Sequence, residues 1–237
     1  MIKYSSGDNM LEYFYKQLQE MNIELSEEQE NQFHIYFKLL VHWNEKVNLT
    51  AITDEYMVYQ KHFFDSIQVA KALPEKNISL LDVGSGAGFP SIPLKIIYPE
   101  IKVTIIDALN KRIHFLEELT KELKLEVSLI HGRAEEYSKK NHFDIVTARA
   151  VANLRILSEL CIPFVKPNGF FIAMKGKNYQ IEVKDAEHAF TILESQLEDV
   201  ITYDLVDEIR YLLVIKKIKS TKDSYPRKFS KIKKHPL

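Results

Sequence analysis

The chain has 237 residues, a formal net charge of −1 at pH 7 and one cysteine, Cys161. This length suits one large domain, or a main domain with a small addition, and the balanced charge provides no overall field that attracts nucleic acid. The lone cysteine excludes an internal disulfide and a cysteine-rich zinc site, so we expect a core residue there and no metal. No apolar run is long enough for a membrane span, and the N-terminus lacks a signal-peptide pattern, which predicts a cytoplasmic protein.

Helical patterning dominates residues 1–76, which we predict to form a small helical extension. Apolar residues recur at helical spacing in two stretches, 11–18 and 33–43. Ser26, followed three residues later by Gln29, resembles a capping box that opens the second helix.

Three of the seven glycines, Gly84, Gly86 and Gly88, lie within five residues, directly after the apolar run 78–83. The run is typical of a buried parallel strand, and glycine lets the backbone turn sharply and approach a ligand closely. Pro90 follows, which the first turn of a helix tolerates. The predicted order of strand, glycine turn and helix is where a nucleotide-like cofactor binds in an open α/β sheet.

The spacing of the glycines distinguishes between cofactors. The dinucleotide fingerprint G-x-G-x-x-G requires a third glycine where Phe89 stands, which argues against a nicotinamide dehydrogenase. The pattern D-V-G-S-G-A-G-F-P, with Asp82 two residues before the first glycine, is similar to motif I of the S-adenosylmethionine-dependent methyltransferases of Rossmann-like fold. Asp82 either orients the glycine turn or reaches the methionine end of the cofactor.

A second acid, Asp107, closes the β-branched run 102–107, which predicts the next strand. A carboxylate at the end of this strand can accept hydrogen bonds from both ribose hydroxyls of an adenosine. It can also cap the helix that begins near Asn110, and the two roles are compatible.

The rest of the chain alternates helices and strands. We predict helices at 111–123, 154–165 and 178–194, and strands at 127–131, 143–147, 170–174, 200–205 and 211–215. Alternation implies a mostly parallel sheet, and the short link between the last two strands permits a hairpin and one antiparallel strand. We therefore predict an α/β, Rossmann-like, seven-stranded class I methyltransferase core at residues 77–219, followed by a basic tail at 220–237.

The predicted tail is strongly basic and contains Arg227, Lys228, Lys231, Lys233 and Lys234. Such a run binds phosphates regardless of sequence if it touches nucleic acid, and otherwise only keeps a protein soluble. Tyr225 and Phe229 lie among these cations, where aromatic rings can stack on bases. We expect removal of the tail to weaken RNA binding and to leave cofactor affinity unchanged.

Six motifs lie in order along nearly the whole chain: Asn48-Leu49-Thr50, His62-Phe63-Phe64-Asp65-Ser66, Leu80 to Pro90, Gly132-Arg133-Ala134-Glu135, Ala148-Arg149-Ala150-Val151-Ala152 and Tyr225-Pro226-Arg227-Lys228. Together they resemble the ribosomal RNA small subunit methyltransferase G family, also called GidB. The resemblance implies transfer of a methyl group from S-adenosylmethionine to N7 of one guanine, at about position 527, in 16S rRNA. The implied partner is 16S rRNA or the small ribosomal subunit.

The resemblance also implies roles for single residues. Gly84, Gly86, Gly88 and Phe89 would form the cofactor turn with Asp82 beneath it, Asp107 would hold the ribose, and Ala134 and Glu135 would flank the adenine. Arg149 would lie beside the methyl donor, although a surface ion pair is the alternative. His62 either approaches the site or is a core histidine. The RNA would be contacted by the five tail cations and His62: Arg227, Lys228, Lys231, Lys233, Lys234 and His62.

Two departures from the family pattern stand out: the family usually has glycine where Ser91 stands and a Gly-x-Pro-rich segment where residues 229–233 stand. The chemistry of the acceptor agrees with N7. An Asn/Asp-Pro-Pro-Tyr-type motif, usual for exocyclic amines, is absent after the fourth strand, and Cys161 lies mid-helix rather than beside proline. Because N7 carries an unprotonated lone pair, positioning suffices and no catalytic base is expected. A small-molecule methyltransferase and a noncatalytic RNA-binding protein of the same fold are the alternatives.

Overall fold

The structure is a computed structural model that describes residues 7–237, with side chains from residue 11 onward. The chain begins with helices α1 (Gly7–Glu20) and α2 (Glu27–Val47). A continuous helical segment follows, made of α3 (Glu55–Val58), a π-helical turn (Tyr59–Phe64), α4 (Asp65–Ile67) and a 3-10 turn (Gln68–Ala72).

The capping box predicted at the start of α2 is confirmed. The Ser26 hydroxyl accepts a hydrogen bond from the Gln29 amide at 3.3 Å, and the Gln29 side-chain oxygen accepts one from the Ser26 amide at 2.9 Å. These two bonds satisfy backbone donors that the first turn of a helix leaves without intrahelical partners.

Within residues 7–237, seven strands form one sheet in the order β3-β2-β1-β4-β5-β7-β6. The strands are β1 (Ser79–Val83), β2 (Lys102–Asp107), β3 (Val127–His131), β4 (Phe143–Arg149), β5 (Val165–Lys175), β6 (Ser195–Leu205) and β7 (Glu208–Lys217). Strands β1 to β5 are parallel, and β7 runs antiparallel between β5 and β6. The predicted seven-stranded, Rossmann-like fold class is therefore confirmed.

The remaining helices are α5 (Ser91–Ile97), α6 (Asn110–Glu122), α7 (Leu154–Cys161), α8 (Tyr179–Ile192) and α9 (Phe229–Lys234). The order of the sheet reverses between β1 and β4, so chain connections leave this point in opposite directions. In open α/β sheets such a switch point opens a crevice beyond the carboxyl ends of the strands, which is where ligands bind.

The helix predicted at 154–165 is shorter in the structure. Helix α7 ends at Cys161 and a 3-10 turn, Ile162–Phe164, leads into β5, which begins at Val165 rather than at 170. Pro163 explains the early end, because proline has no N–H to donate to the carbonyl four residues earlier and its ring collides with that carbonyl. Helix α9, inside the segment predicted only as a basic tail, was not predicted.

Two hydrophobic clusters lie on the two faces of the sheet, as the alternation of Leu80 and Leu81 in β1 requires. The first joins extension side chains, such as Phe14 and Phe63, to core side chains such as Leu80 and Phe115. The extension and the sheet therefore share one core. The division of the chain after residue 76 stays a prediction.

A single buried hydroxyl connects the extension to the glycine turn. Tyr36 of α2 is fully buried and donates to the Ala87 carbonyl oxygen at 2.5 Å. Burial is the main reason why the pKa of Tyr36 is raised well above its usual value, so the hydroxyl stays protonated and can donate.

We expect Tyr36→Phe to lower the free energy of unfolding by about 1–3 kcal/mol, because the buried Ala87 carbonyl loses its donor while the ring remains. Denaturant unfolding measures this change. Tyr98→Phe is the matched control, since the Tyr98 hydroxyl makes no hydrogen bond within the described part of the chain. Equal effects of the two substitutions would contradict the assignment.

Candidate active site

A cavity of about 420 Å³ opens at the switch point between β1 and β4. Four segments line it: the extension, the glycine turn, the loop after β2 and the loop after β4. The lining residues are Leu49, Thr50, His62, Gly84, Ser85, Gly86, Ala87, Phe89, Asp107, Ala108, Leu109, Arg112, Arg149, Ala150 and Val151. Six residues predicted from the sequence thus meet here: His62, Gly84, Gly86, Phe89, Asp107 and Arg149.

The three glycines of the turn all have positive φ, but they face different surroundings. A Cβ on Gly84, at φ +72°, would lie 2.9 Å from a Val151 methyl. A Cβ on Gly86, at φ +64°, would project into open space beside the cavity. Gly88, at φ +97°, faces away from the cavity, where a Cβ would lie 2.8 Å from the Tyr36 hydroxyl. Gly88 therefore permits close packing against α2 and is not among the residues that line the cavity.

Asp107 ties the glycine turn to the start of α6. Its carboxylate accepts from the Gly86 amide at 3.2 Å, from the Leu109 amide at 2.9 Å and from the Arg112 guanidinium at 3.2 Å. The bond to Leu109 is an Asx turn just before α6, but the N-cap position of α6 is Leu109 itself and has no side-chain capping bond, so the capping alternative is wrong. Because an ionised carboxylate offers about four acceptor positions, one remains for a ligand.

Arg149 is at the end of β4, and its guanidinium is held by the extension. It donates to Asp65 at 2.9 Å and to the Lys61 carbonyl at 3.2 Å, and it lies 4.8 Å from the centre of the Phe89 ring. Tyr203 of β6 donates to the other Asp65 oxygen at 2.7 Å. Arg149 does form an ion pair, as the alternative proposed, but the pair is largely buried and Arg149 is part of the cavity wall.

His62 lies beside Arg149 and stacks on Phe89, with ring centres 4.7 Å apart. Its Nε2 is 2.7 Å from the Thr50 hydroxyl. Burial, and then the positive charge of Arg149, lower the pKa of His62 to about 4. The imidazole is therefore uncharged at neutral pH, and it forms part of the cavity wall rather than a position deep in the core.

Comparison with known proteins connects this geometry to a family. The family model described as rRNA small subunit methyltransferase G matches residues 29–210. Among curated relatives, "Ribosomal RNA small subunit methyltransferase G" of Streptococcus pneumoniae (strain ATCC 700669 / Spain 23F-1) is 50% identical over 95% of this chain and 99% of its own. The protein with the same description from Staphylococcus haemolyticus (strain JCSC1435) is 49% identical over 97% of this chain and 98% of its own.

The chain belongs to the rRNA small subunit methyltransferase G family.

Solved structures agree on the fold. A methyltransferase from Pyrococcus furiosus aligns with a TM-score of 0.55 at 13% identity, covering 66% of this chain and 83% of its own. A SAM-dependent methyltransferase from Aquifex aeolicus aligns with a TM-score of 0.53 at 16% identity, covering 68% and 93%. At these identities the likeness concerns the fold alone.

Asp82, the acid of the family's motif I, lies beneath the cavity rather than in its wall. It is fully buried; one carboxylate oxygen accepts from the Ser91 amide at 3.2 Å and the other has no partner in the described residues. Burial is the main cause that raises the pKa of Asp82 to about 7. Of the two roles considered for Asp82, the contact favours orientation of the turn and of the entry into α5.

Ala134 and Glu135 line a second, smaller cavity of about 140 Å³ that adjoins the first. Gly84, Ala108 and Val151 belong to both cavities. The walls of the smaller one are mostly apolar and come from the ends of β1 and β2, the turn after β3, α7 and the tail. The other lining residues are Val83, Ile106, Gly132, Arg133, Leu160 and Phe229.

The tail cations are not equivalent. Arg227 donates to both oxygens of the fully buried Glu159, at 2.7 and 2.5 Å, so its guanidinium already forms an ion pair within the protein. The side chains of Lys228, Lys231, Lys233 and Lys234 are exposed.

Three features of the site were not predicted from the sequence: the roles of Asp65 and Glu159 and the position of Phe229 in the cavity wall. Asp65 lies in one of the family motifs, which was a signal for its importance, although the pattern does not show that it faces Arg149. Among the side chains that the structure describes, from residue 11 onward, no cluster of three or more His, Cys, Asp or Glu residues could hold a metal ion. No described helix combines the length and the apolar character needed to cross a membrane.

The shifted pKa values of Asp82 and His62 predict how the free energy of unfolding depends on pH. The raised pKa of Asp82 stabilises the fold below about pH 4, and this contribution is lost as pH rises through about 7. Asp82→Asn cannot ionise and does not suffer this loss. Between pH 4 and pH 8, its free energy of unfolding should therefore rise by on the order of 4 kcal/mol relative to that of the cofactor-free wild type.

Denaturant midpoints of both proteins across this range measure the difference. His62 acts in the opposite direction in both proteins, because its lowered pKa costs stability as pH falls from about 6.5 to 4, and it cancels in the comparison. Parallel curves for Asp82→Asn and the wild type would show that Asp82 ionises normally.

Proposed function

We propose that this protein transfers a methyl group from S-adenosylmethionine to N7 of one guanine, at about position 527, in 16S rRNA. The observation that supports it most is one cavity with a glycine turn and Asp107 at one end and Arg149 beside an uncharged His62 at the other. The cytoplasm, where 16S rRNA is assembled into subunits, is the proposed location.

The residues that are present suit the cofactor. The open space at the missing Cβ of Gly86 lets a ligand approach the backbone, and Asp107 keeps an acceptor position for a ribose hydroxyl. The apolar second cavity, with Ala134 and Glu135, suits an adenine ring. When bound, S-adenosylmethionine supplies a methyl group attached to a positively charged sulfur. An acceptor atom with a free lone pair can take this methyl group without first losing a proton.

The remaining residues of the cavity then have a positioning role. Arg149 is held by Asp65 and by the Lys61 carbonyl, so its guanidinium needs little reorganisation to present donors to an acceptor base. On guanine, O6 beside N7 is an acceptor that arginine recognises, and a bond to O6 alone leaves the N7 lone pair free for the methyl group. A neutral His62 takes no proton from N7, since none is present there. Rate acceleration would come from holding the two reactants in line.

The partner proposed for the tail is the phosphate backbone of the RNA. Lys228, Lys231, Lys233 and Lys234 are exposed and can bind phosphates, whereas Arg227 is engaged with Glu159. Of the five tail cations predicted from the sequence to bind RNA, we therefore keep the four lysines and leave out Arg227.

The decisive experiment compares 16S rRNA from cells with and without this protein. Mass spectrometry of nuclease fragments should reveal one N7-methylguanine, near position 527, that disappears without the protein and returns when purified protein and S-adenosylmethionine are added. An unchanged pattern of methylation would refute the proposal.

We expect Asp107→Ala to weaken binding of S-adenosylmethionine by about 1.5–3 kcal/mol, because a charged hydrogen-bond acceptor is lost. Isothermal titration calorimetry measures the change. Asp144→Ala is the control, since Asp144 interacts with Ser79 and Lys166 at the amino ends of the strands, away from both cavities. Wild-type affinity in Asp107→Ala would remove Asp107 from the site.

The single-turnover methylation rate, at saturating cofactor, should be nearly flat from about pH 6 to 8. His62, with its pKa near 4, stays uncharged throughout, and N7 needs no base. His62→Gln should keep the shape of the profile whatever it does to binding. An acidic limb in the wild type that vanishes in His62→Gln would mean that a base takes part and that the acceptor is another atom.

A further inference from the structure

The C-terminal tail reaches the smaller cavity. Phe229, the first residue of α9, lines this cavity together with Ala134 and Glu135, although these residues are far apart in the chain. The Phe229 ring lies 5.4 Å from the guanidinium carbon of Arg133, which is close enough for a cation–π contact. An aromatic ring at an apolar cavity that suits adenine supplies a surface on which the base can stack.

Buried contacts hold the tail in this position. Arg227 donates to Glu159 through its backbone amide at 2.9 Å as well as through its side chain, and Glu159 is fully buried in α7. Ile232 of α9 is fully buried in the second hydrophobic cluster, which also contains Leu160 of α7. Since Leu160 also lines the smaller cavity, α7 forms a wall shared by the cavity and the tail.

The outer side of the same segment is positive. Lys228, Lys231 and Lys234 follow one another at intervals of three residues, so they share one side of the segment, and all three are exposed. Arg133, in contact with Phe229, is exposed too. The docked tail therefore assembles a cationic surface outside and completes an apolar cavity inside.

We propose that Phe229 is a cofactor-binding residue and that the tail couples RNA binding to cofactor binding. This inference rests on the proposed function. Phosphates that bind the lysine array favour the docked tail, because only docking brings Arg133 and the lysines together. Docking in turn keeps Phe229 at the adenine, so each ligand raises the affinity for the other by the same factor. We therefore expect the tail to raise the affinity for the cofactor, whereas the sequence alone predicted that this affinity would not depend on the tail.

Calorimetry with S-adenosylhomocysteine, without RNA, tests the contact. Phe229→Ala should weaken binding about tenfold, because the base loses its stacking partner. Tyr98→Ala is the control, since Tyr98 is an aromatic residue outside the tail and lines neither cavity. Phe229→Leu, which keeps apolar packing but removes the ring, should lose most of the same affinity while unfolding like the wild type. Wild-type affinity in Phe229→Ala and Phe229→Leu overturns the contact.

The same titration with protein-free 16S rRNA present tests the coupling. The RNA should tighten binding of S-adenosylhomocysteine several-fold in the wild type. The gain should shrink when Lys231→Gln is combined with Lys234→Gln, and persist when Lys121→Gln is combined with Lys124→Gln, which removes equal charge at the end of α6. An equal cofactor affinity with and without bound RNA overturns the coupling.

Failure of the proposed function is recognised separately. Methylation of the same 16S rRNA by the wild type, in separate samples that contain S-adenosylmethionine, tests the reaction alone. If the RNA does not bind, the coupling is overturned together with the proposed function, whereas the Phe229→Ala result, which needs no RNA, still decides the contact with the cofactor.

Discussion

The backbone of the glycine turn is the constraint on which the rest of this structure depends. Positive φ at Gly84, Gly86 and Gly88 bends the chain sharply between β1 and α5, a conformation that costs energy for any other residue. Such a turn keeps its shape only if its surroundings hold it. Asp107 binds it from the next strand, and the Tyr36 hydroxyl binds it from the extension. The extension is thus part of the site's support as well as of its wall.

Phe89, at the end of this turn, organises the opposite half of the cavity. Its ring stacks with the rings of Tyr36, at 5.4 Å, and His62, at 4.7 Å, and the guanidinium of Arg149 also lies against it. This stack connects the turn to the extension and to β4 through one aromatic side chain. Arg149 pairs with Asp65 in this arrangement, while burial and the nearby Arg149 lower the pKa of His62 to about 4.

Two arginines of this chain pair with buried carboxylates. Arg149 pairs with Asp65, and Arg227 pairs with Glu159, each with further hydrogen bonds. An unpaired charge in the interior costs several kcal/mol, so each arginine holds its segment where its carboxylate partner lies. Asp82 has no cationic partner in contact and accepts the Ser91 amide alone, and its pKa is raised to about 7. The two pairs therefore place the extension and the tail against the sheet, and both segments reach a cavity.

The fold class and much of the site could be predicted from the sequence, because their signals are local. The glycine cluster after β1, the acid that ends β2 and the alternation of strands and helices are determined by backbone preferences and by burial within a few residues. The capping box at Ser26 is local in the same sense. For Gly88 the local pattern was insufficient, because a Cβ there would meet Tyr36, more than fifty positions earlier, as well as its neighbour Ile92.

Only the tertiary structure decided which distant groups meet. The basic run in the tail predicted phosphate binding for every cation in it, yet Arg227 is committed to Glu159 because α7 presents a buried carboxylate there. Phe229 lines a cavity whose other walls come mainly from residues far earlier in the chain. Asp65 of the extension forms an ion pair with Arg149 of the sheet. The sequence by itself determined which elements form and in what order. Packing decided the partners of Asp65, Glu159 and Phe229, because long-range contacts depend on the surfaces of several elements at once.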